Sequence, residues 1–126
     1  VYFATTGSPS SQMNLIDYFS NQGMILEITE NFNQKNEIEN LYENLTTKYK
    51  FTNLNNSNVY YSPDTKRILQ NYRILFLTLA SMKSSEEDKK EVMSIMNEKM
   101  PDNIIDMSPT DQVLSFGQLK IIYKQI

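Results

Sequence analysis

The spacing of apolar residues predicts three amphipathic helices in the middle of the chain. The first covers residues 33–50, with acidic residues early and lysines late, as the helix dipole prefers. The second starts at Ser62-Pro63, a serine cap followed by a proline in the first turn. The third starts at Ser84, where Glu87 completes a capping box, and Pro101 ends it. Between the first two helices, the Asn-rich residues 51–58 predict a polar loop.

The first thirty residues predict a strand, a helix and a second strand. Residues 1–4 are short and β-prone, and residues 24–30 alternate apolar and polar positions. Ser8-Pro9 predicts the start of a helix that Gly23 ends. A crossover of this kind normally joins two parallel strands, so we expect the strand at 24–30 to run parallel to the first.

The last quarter of the chain predicts a hairpin followed by a helix. Strands are expected at 102–107 and 112–116, and Gly117 separates the second strand from an amphipathic helix at 118–126. The complete sheet would then have about four strands. An alternative pattern makes residues 108–116 a short helix and LKIIYKQ a strand.

Composition narrows the possible chemistry. The 126 residues suit one domain, with 40% hydrophobic residues for a core and a net charge of −3 that disfavours nucleic acid as a partner. The absence of Cys and His excludes disulfides, thiolate catalysis, imidazole bases and classical zinc sites. The longest apolar stretch, residues 73–80, is too short to span a membrane. We therefore expect a soluble protein, most simply a cytoplasmic one.

The order of these elements resembles the thioredoxin-like fold in its glutaredoxin-sized form. Ser8-Pro9-Ser10-Ser11 stands where glutaredoxins carry Cys-Pro-x-Cys, and Met100-Pro101 precedes a predicted strand, as the cis-proline of that family does. VYFATTG and Phe116-Gly117 resemble the SH3-binding glutamic-acid-rich proteins, which are cysteine-poor relatives of the glutaredoxins. The resemblance implies a single α/β thioredoxin-like domain: β-α-β, a helical insertion at about 50–99, a β-hairpin and a C-terminal helix.

The resemblance also implies a binding groove that lacks redox chemistry. A serine hydroxyl without a neighbouring base is not a nucleophile, so we expect no enzymatic activity and no cofactor. A helix N-terminus beside a cis-proline would still bind a carboxylate or an extended peptide, or glutathione. Gln118 and Leu119 follow the late glycine in place of the acidic pair of the family, which weakens the case for glutathione. The expected groove residues are Thr6, Gly7, Ser8, Ser10, Ser11, Pro101 and Gly117. The simpler alternative is a capped helix that binds no ligand.

These observations favour a redox-inactive module that binds or assembles with another protein. Three alternatives remain open. The first is an enzyme related to glutaredoxin or arsenate reductase in which serines replace the cysteines. The second is a regulator of the Spx type that binds RNA polymerase, and the third is a structural domain of a membrane-anchored or multi-subunit complex.

Overall fold

The computed structural model describes residues 1–106 and shows the mixed α/β class that the sequence predicts. The chain divides into two compact units, one formed by Val1–Tyr49 and one that starts at Lys50. Organisation as a single domain stays a prediction. Three strands and one α-helix belong to the first unit, and two further α-helices belong to the second: β1 (Tyr2–Ala4), β2 (Phe19–Asn21), β3 (Ile25–Ile28), α1 (Gln34–Glu43), α2 (Pro63–Met82) and α3 (Glu86–Lys99).

The three strands form an antiparallel sheet in the order β1-β3-β2. Tyr2 lies opposite Glu27 in one pair of strands, and Asn21 lies opposite Leu26 in the other. The predicted parallel pairing of β1 with the strand at 24–30 is therefore wrong. The physical reason is the tight β2–β3 hairpin, which makes β3 reverse direction and insert between β1 and β2.

The predicted helix from Ser8 to Gly23 is also absent. Its residues form two single turns of 3₁₀-helix, Pro9–Gln12 and Ile16–Tyr18, followed by β2. Met13 and Asn14 adopt left-handed backbone conformations, with φ of 49° and 58°, which end the first turn. Serine and asparagine favour such local turns over a continuous helix because their side chains compete for backbone hydrogen bonds.

Gly23 is the turn residue of the β2–β3 hairpin rather than the end of a helix. Its φ of +116° is a conformation that residues with a Cβ rarely adopt. A Cβ at this position would also collide with the hydroxyl of Tyr49. That hydroxyl accepts a hydrogen bond from the Met24 backbone N–H at 2.9 Å, and Asn21 Oδ1 accepts one from the Gly23 N–H at 2.9 Å. The glycine thus allows an aromatic side chain to hold the hairpin turn.

The three predicted middle helices are confirmed, each with a side-chain cap. Asn33 accepts from the Asn36 N–H at the start of α1, and Ser62 accepts from the Thr65 N–H at the start of α2. A five-residue π-helical turn, Asn44–Lys48, extends α1. The cap of α3 is Ser85 rather than the predicted Ser84.

Helices α2 and α3 pack against each other in the second unit. Their buried apolar side chains include Phe76, Leu79, Val92 and Met96. A neighbouring cluster, centred on Leu54, Met100 and Ile105, is packed against Phe51, Tyr61, Leu69, Tyr72 and Ile104. The loop at 51–58 therefore supplies part of this apolar core.

A buried arginine determines the path of the chain after α3. Arg73 is fully buried and donates to the carbonyl oxygens of Met100 at 2.6 Å and Ile105 at 2.5 Å. It also forms an ion pair with Asp102 at 2.9 Å. Pro101 ends α3 as predicted, but residues 102–106 form a turn rather than a strand. The reason is that the backbone carbonyls at both ends of this turn face the guanidinium rather than a neighbouring strand.

The other elements predicted for the last quarter lie outside the described residues. These are the rest of the strand at 102–107, the strand at 112–116, the turn at Gly117 and the closing helix. Within residues 1–106 the sheet has three strands, and the total of about four for the whole chain stays a prediction.

Candidate functional site

Five of the seven predicted groove residues lie together in one exposed turn after β1: Thr6, Gly7, Ser8, Ser10 and Ser11. Two backbone N–H groups of this turn donate hydrogen bonds to nearby backbone carbonyls. Gly7 donates to the Ala4 carbonyl at 3.0 Å, and Ser11 donates to the Ser8 carbonyl at 3.0 Å. The Ser11 hydroxyl donates to the same Ser8 carbonyl at 2.6 Å. A four-residue 3₁₀ turn is not the longer helix whose N-terminus was expected to bind an anion.

The other two predicted groove residues are not part of this turn. Pro101 belongs to the second unit, and no peptide bond within residues 1–106 is cis, so Pro101 is not a cis-proline. Gly117 lies outside the described residues. The predicted peptide or glutathione groove therefore stays a prediction.

Residues 1–106 contain no candidate metal site. No group of three or more acidic, histidine or cysteine side chains is placed there to hold a metal ion. In the same range, no helix combines the length and the apolar character needed to cross a membrane.

The exposed edge of β1 offers a different kind of site. The Ile28 N–H donates to the Val1 carbonyl, and the Thr5 N–H donates to the Met24 carbonyl, each within about 3 Å. Because hydrogen-bonded and non-bonded pairs alternate in an antiparallel ladder, the backbone groups of Tyr2 and Ala4 point away from β3. Their two N–H groups and the Tyr2 carbonyl have no hydrogen-bond partner among residues 1–106. We call these three groups the open edge of β1.

The opposite edge of the sheet, along β2, is closed from within the chain. The same alternation directs the N–H groups of Phe19 and Asn21 outward. The Phe19 N–H donates to the Ile16 carbonyl, and the Asn21 N–H donates to Oε1 of Glu37 at 2.5 Å. Glu37 extends from α1 and is only 6% exposed. Among residues 1–106, one edge of this sheet therefore has no strand paired with it, whereas the N–H groups of the other edge are already engaged.

The side chains along β1 do not protect its edge. Natural sheets usually protect exposed edges with charged residues, proline or a covering element. Residues 2–4 are Tyr-Phe-Ala, with no charge and no proline, and the Tyr2 side chain is 60% exposed. Further large apolar side chains are exposed in the first unit, namely Val1, Met13, Ile16, Tyr18, Ile25 and Phe32. An exposed apolar edge of this kind is a typical site for pairing with another strand.

The second unit contains two further features, a buried arginine and an open cleft. Arg73 contacts the backbone of its own chain, so we assign it a structural role. An open cleft of about 520 Å³ at the start of α2 is lined by Tyr60, Tyr61, Lys66 and Arg67, among others. Asp106, the last described residue, also lines this cleft, so residues 1–106 do not define what fills it.

The sequence predicted β1 as a strand but gave no indication that it lies at an edge. Strand order depends on contacts between residues distant in sequence, which a local pattern does not contain. One local signal was available. Asn21-Gln22-Gly23 lies between two β-prone segments and is typical of a hairpin turn, which would have placed a strand before Gly23.

Comparisons with protein-family models, with curated proteins and with solved structures find no match to this chain.

Proposed function

We propose that this chain is a protein-binding or assembly module that holds an extended segment along the open edge of β1. The single observation that carries the proposal is the contrast between the two edges of the sheet. The outward N–H groups of Tyr2 and Ala4 are free among residues 1–106, while those of β2 are engaged. Strand addition to such an edge is a recurring mode of peptide recognition, in which backbone hydrogen bonds supply affinity.

The size of the edge indicates a weak, reversible interaction. Each backbone hydrogen bond contributes a net ~0.5–1.5 kcal/mol, so the three free groups would contribute roughly 1.5–4.5 kcal/mol. Covering the exposed Tyr2 ring adds an apolar contribution. Association itself costs at least about 4 kcal/mol. These terms nearly cancel, so we expect a dissociation constant of about 1 mM or weaker for a short extended peptide.

The proposed activity is non-enzymatic and independent of redox chemistry, since strand addition needs neither a thiol nor a cofactor. A thioredoxin-like fold is not part of this proposal. β1 pairs with β3 in antiparallel orientation, whereas the expected β-α-β unit requires parallel pairing. Glutathione is likewise not the proposed ligand, because Pro9–Gln12 is a single 3₁₀ turn rather than the start of the helix expected to bind it.

A matched pair of substitutions at Ala4 tests the proposal. Ala4→Pro removes an outward N–H and leaves the bonds between β1 and β3 in place, because proline is tolerated where the N–H faces outward. Ala4→Val keeps the N–H and suits a strand. Extended peptides are selected from a random display library on the wild-type chain. Their binding is then measured by titration, with the backbone amide signals of residues 1–30 followed by NMR.

We expect selected peptides to shift the Tyr2 and Ala4 amides and to bind wild type and Ala4→Val alike. Ala4→Pro should weaken binding about tenfold or more, because one carbonyl of the peptide loses its donor at a cost of ~1–3 kcal/mol. The β3 amide signals of Ala4→Pro should match those of wild type, which shows that the sheet is intact. Selected peptides that bind Ala4→Pro as well as wild type, or a selection that yields no binders, would contradict the proposal.

A further inference from the structure

We infer that the segment held along β1 is the β1 strand of a second copy of this chain. The two copies would pair about a two-fold axis at Phe3, forming one six-stranded sheet. This inference rests on the proposed function and names the partner for the same edge. It follows from the hydrogen-bond pattern of the edge, the side chains beside it and the closure of the opposite edge.

The backbone groups of the open edge are self-complementary. With the axis at Phe3, Tyr2 of each copy lies opposite Ala4 of the other. The Tyr2 N–H would donate to the Ala4 carbonyl, and the Ala4 N–H would donate to the Tyr2 carbonyl. Repetition by the axis gives four hydrogen bonds. The Ala4 carbonyl already accepts from the Gly7 N–H, but a carbonyl oxygen has two lone pairs and can accept both bonds.

The side chains fit the same register. Tyr2 and Ala4 lie on one face of the sheet, together with Ile25 and Glu27, because directly opposed residues share a face. The Tyr2 hydroxyl donates to Oε1 of Glu27 in its own chain at 3.4 Å, so the ring is directed toward β3 and away from the pairing edge. In the two-fold pair, the Tyr2 Cβ of each copy would lie beside the small Ala4 side chain of the other. Each Tyr2 therefore has a small neighbour across the pair, and no two tyrosines are directly opposed.

The charges near the edge allow two copies to approach each other. No residue of β1 is charged, and the carboxylate nearest to it in the sheet register is Glu27 on β3. In the pair, the two β3 strands would be separated by three strand spacings, about 14 Å. That distance exceeds the Debye length of about 8 Å at physiological ionic strength, so repulsion between the two Glu27 side chains is largely screened.

The closed edge of β2 limits the assembly to two copies. An open edge on both sides of a sheet would allow repeated addition and fibre growth. Glu37 and the Ile16 carbonyl accept from the outward N–H groups of β2, which leaves one open edge in the described part of each copy. A two-fold pair uses that edge in both copies and is therefore a closed assembly.

Sedimentation velocity on the full 126-residue chain tests whether the copies pair. Over a roughly hundredfold range of concentration, we expect wild type and Ala4→Val to shift reversibly from monomer toward dimer. Ala4→Pro should stay monomeric across the same range. Species larger than a dimer should be absent for wild type. A dimer that Ala4→Pro forms as well as wild type would overturn the inference, because its interface would lie elsewhere.

Disulfide trapping tests the register. Because the chain has no cysteine of its own, an introduced cysteine can pair only with an introduced cysteine of another copy. Tyr2→Cys and Ala4→Cys chains are oxidised separately and as a mixture. The inferred register predicts mainly mixed dimers, because paired Cα atoms lie about 5.5 Å apart, within disulfide reach. Mainly Tyr2→Cys homodimers would contradict it.

A chain that stays monomeric yet binds selected peptides at β1 would refute this inference and leave the proposed function standing. A monomer that binds no peptide would refute both.

Discussion

Replacing Glu37 tests how one edge of the sheet is kept closed. Oε1 of this buried carboxylate accepts from the Asn21 N–H at 2.5 Å. In Glu37→Ala the N–H stays partly buried without its acceptor. In Glu37→Gln the side-chain carbonyl can still accept the bond. The pair of substitutions therefore separates the loss of charge from the loss of the hydrogen bond.

The expected magnitudes follow from that single contact. A hydrogen bond to a charged group contributes ~1.5–3 kcal/mol, and an unsatisfied buried N–H costs ~1–3 kcal/mol. Removing the buried carboxylate also removes its desolvation cost, which offsets part of the loss. We therefore expect Glu37→Ala to destabilise the first unit by about 1–2 kcal/mol and Glu37→Gln by under about 1 kcal/mol.

Amide hydrogen exchange is the appropriate assay because it reports on one unit and one bond. The Asn21 amide should exchange about tenfold faster in Glu37→Ala, with a smaller change in Glu37→Gln. Equal Asn21 exchange rates in Glu37→Ala and wild type would refute the assignment of Glu37 as the group that closes β2.

Three further substitutions test local features of the two units. Gly23→Ala should destabilise the hairpin by about 1–3 kcal/mol, because φ is +116° and the new Cβ collides with the Tyr49 hydroxyl. Urea unfolding measures this loss. Arg73→Met should cost about 2–4 kcal/mol, measured by thermal unfolding, because two backbone carbonyls lose a charged donor. The Glu87 backbone N–H and the Ser85 hydroxyl hold the pKa of the exposed Glu87 carboxyl below its usual range. The resulting stabilisation is present above the usual glutamate pKa and is lost as pH falls through the lowered value, so Ser85→Ala should raise the Glu87 pKa in an NMR titration.

The helical part of the chain could be predicted from the sequence because its signals are local. Ser62 followed by proline and Ser85 with nearby acidic residues are capping patterns, and both begin long helices. The one-residue error at Ser84 arose because adjacent serines offer equivalent caps. Pro101 ended α3 because a proline cannot continue the hydrogen-bond ladder of a helix.

The sheet could not be predicted because its arrangement depends on distant contacts. The pattern of β1 and β3 indicated strands, but their relative direction depends on what connects them. Left-handed conformations at Met13 and Asn14 replaced the expected helix with turns and a strand. The open edge, and its contrast with the edge closed by Glu37, emerged only from the register. The helix expected after Ser8 is absent for the same reason, and the groove built on it stays a prediction.

Amide hydrogen exchange along β1 of the full chain, followed as concentration rises, tests the central claim most directly. Phe3 and Thr5 bond to β3 and serve as internal controls that should be protected throughout. At low concentration the Tyr2 and Ala4 amides should exchange rapidly, and they should become protected as copies pair or when a selected peptide is added. Tyr2 and Ala4 amides already protected at the lowest concentration would show that the edge is covered within the chain. Amides that stay unprotected under every condition would show that the edge binds no strand, and either result would contradict the account.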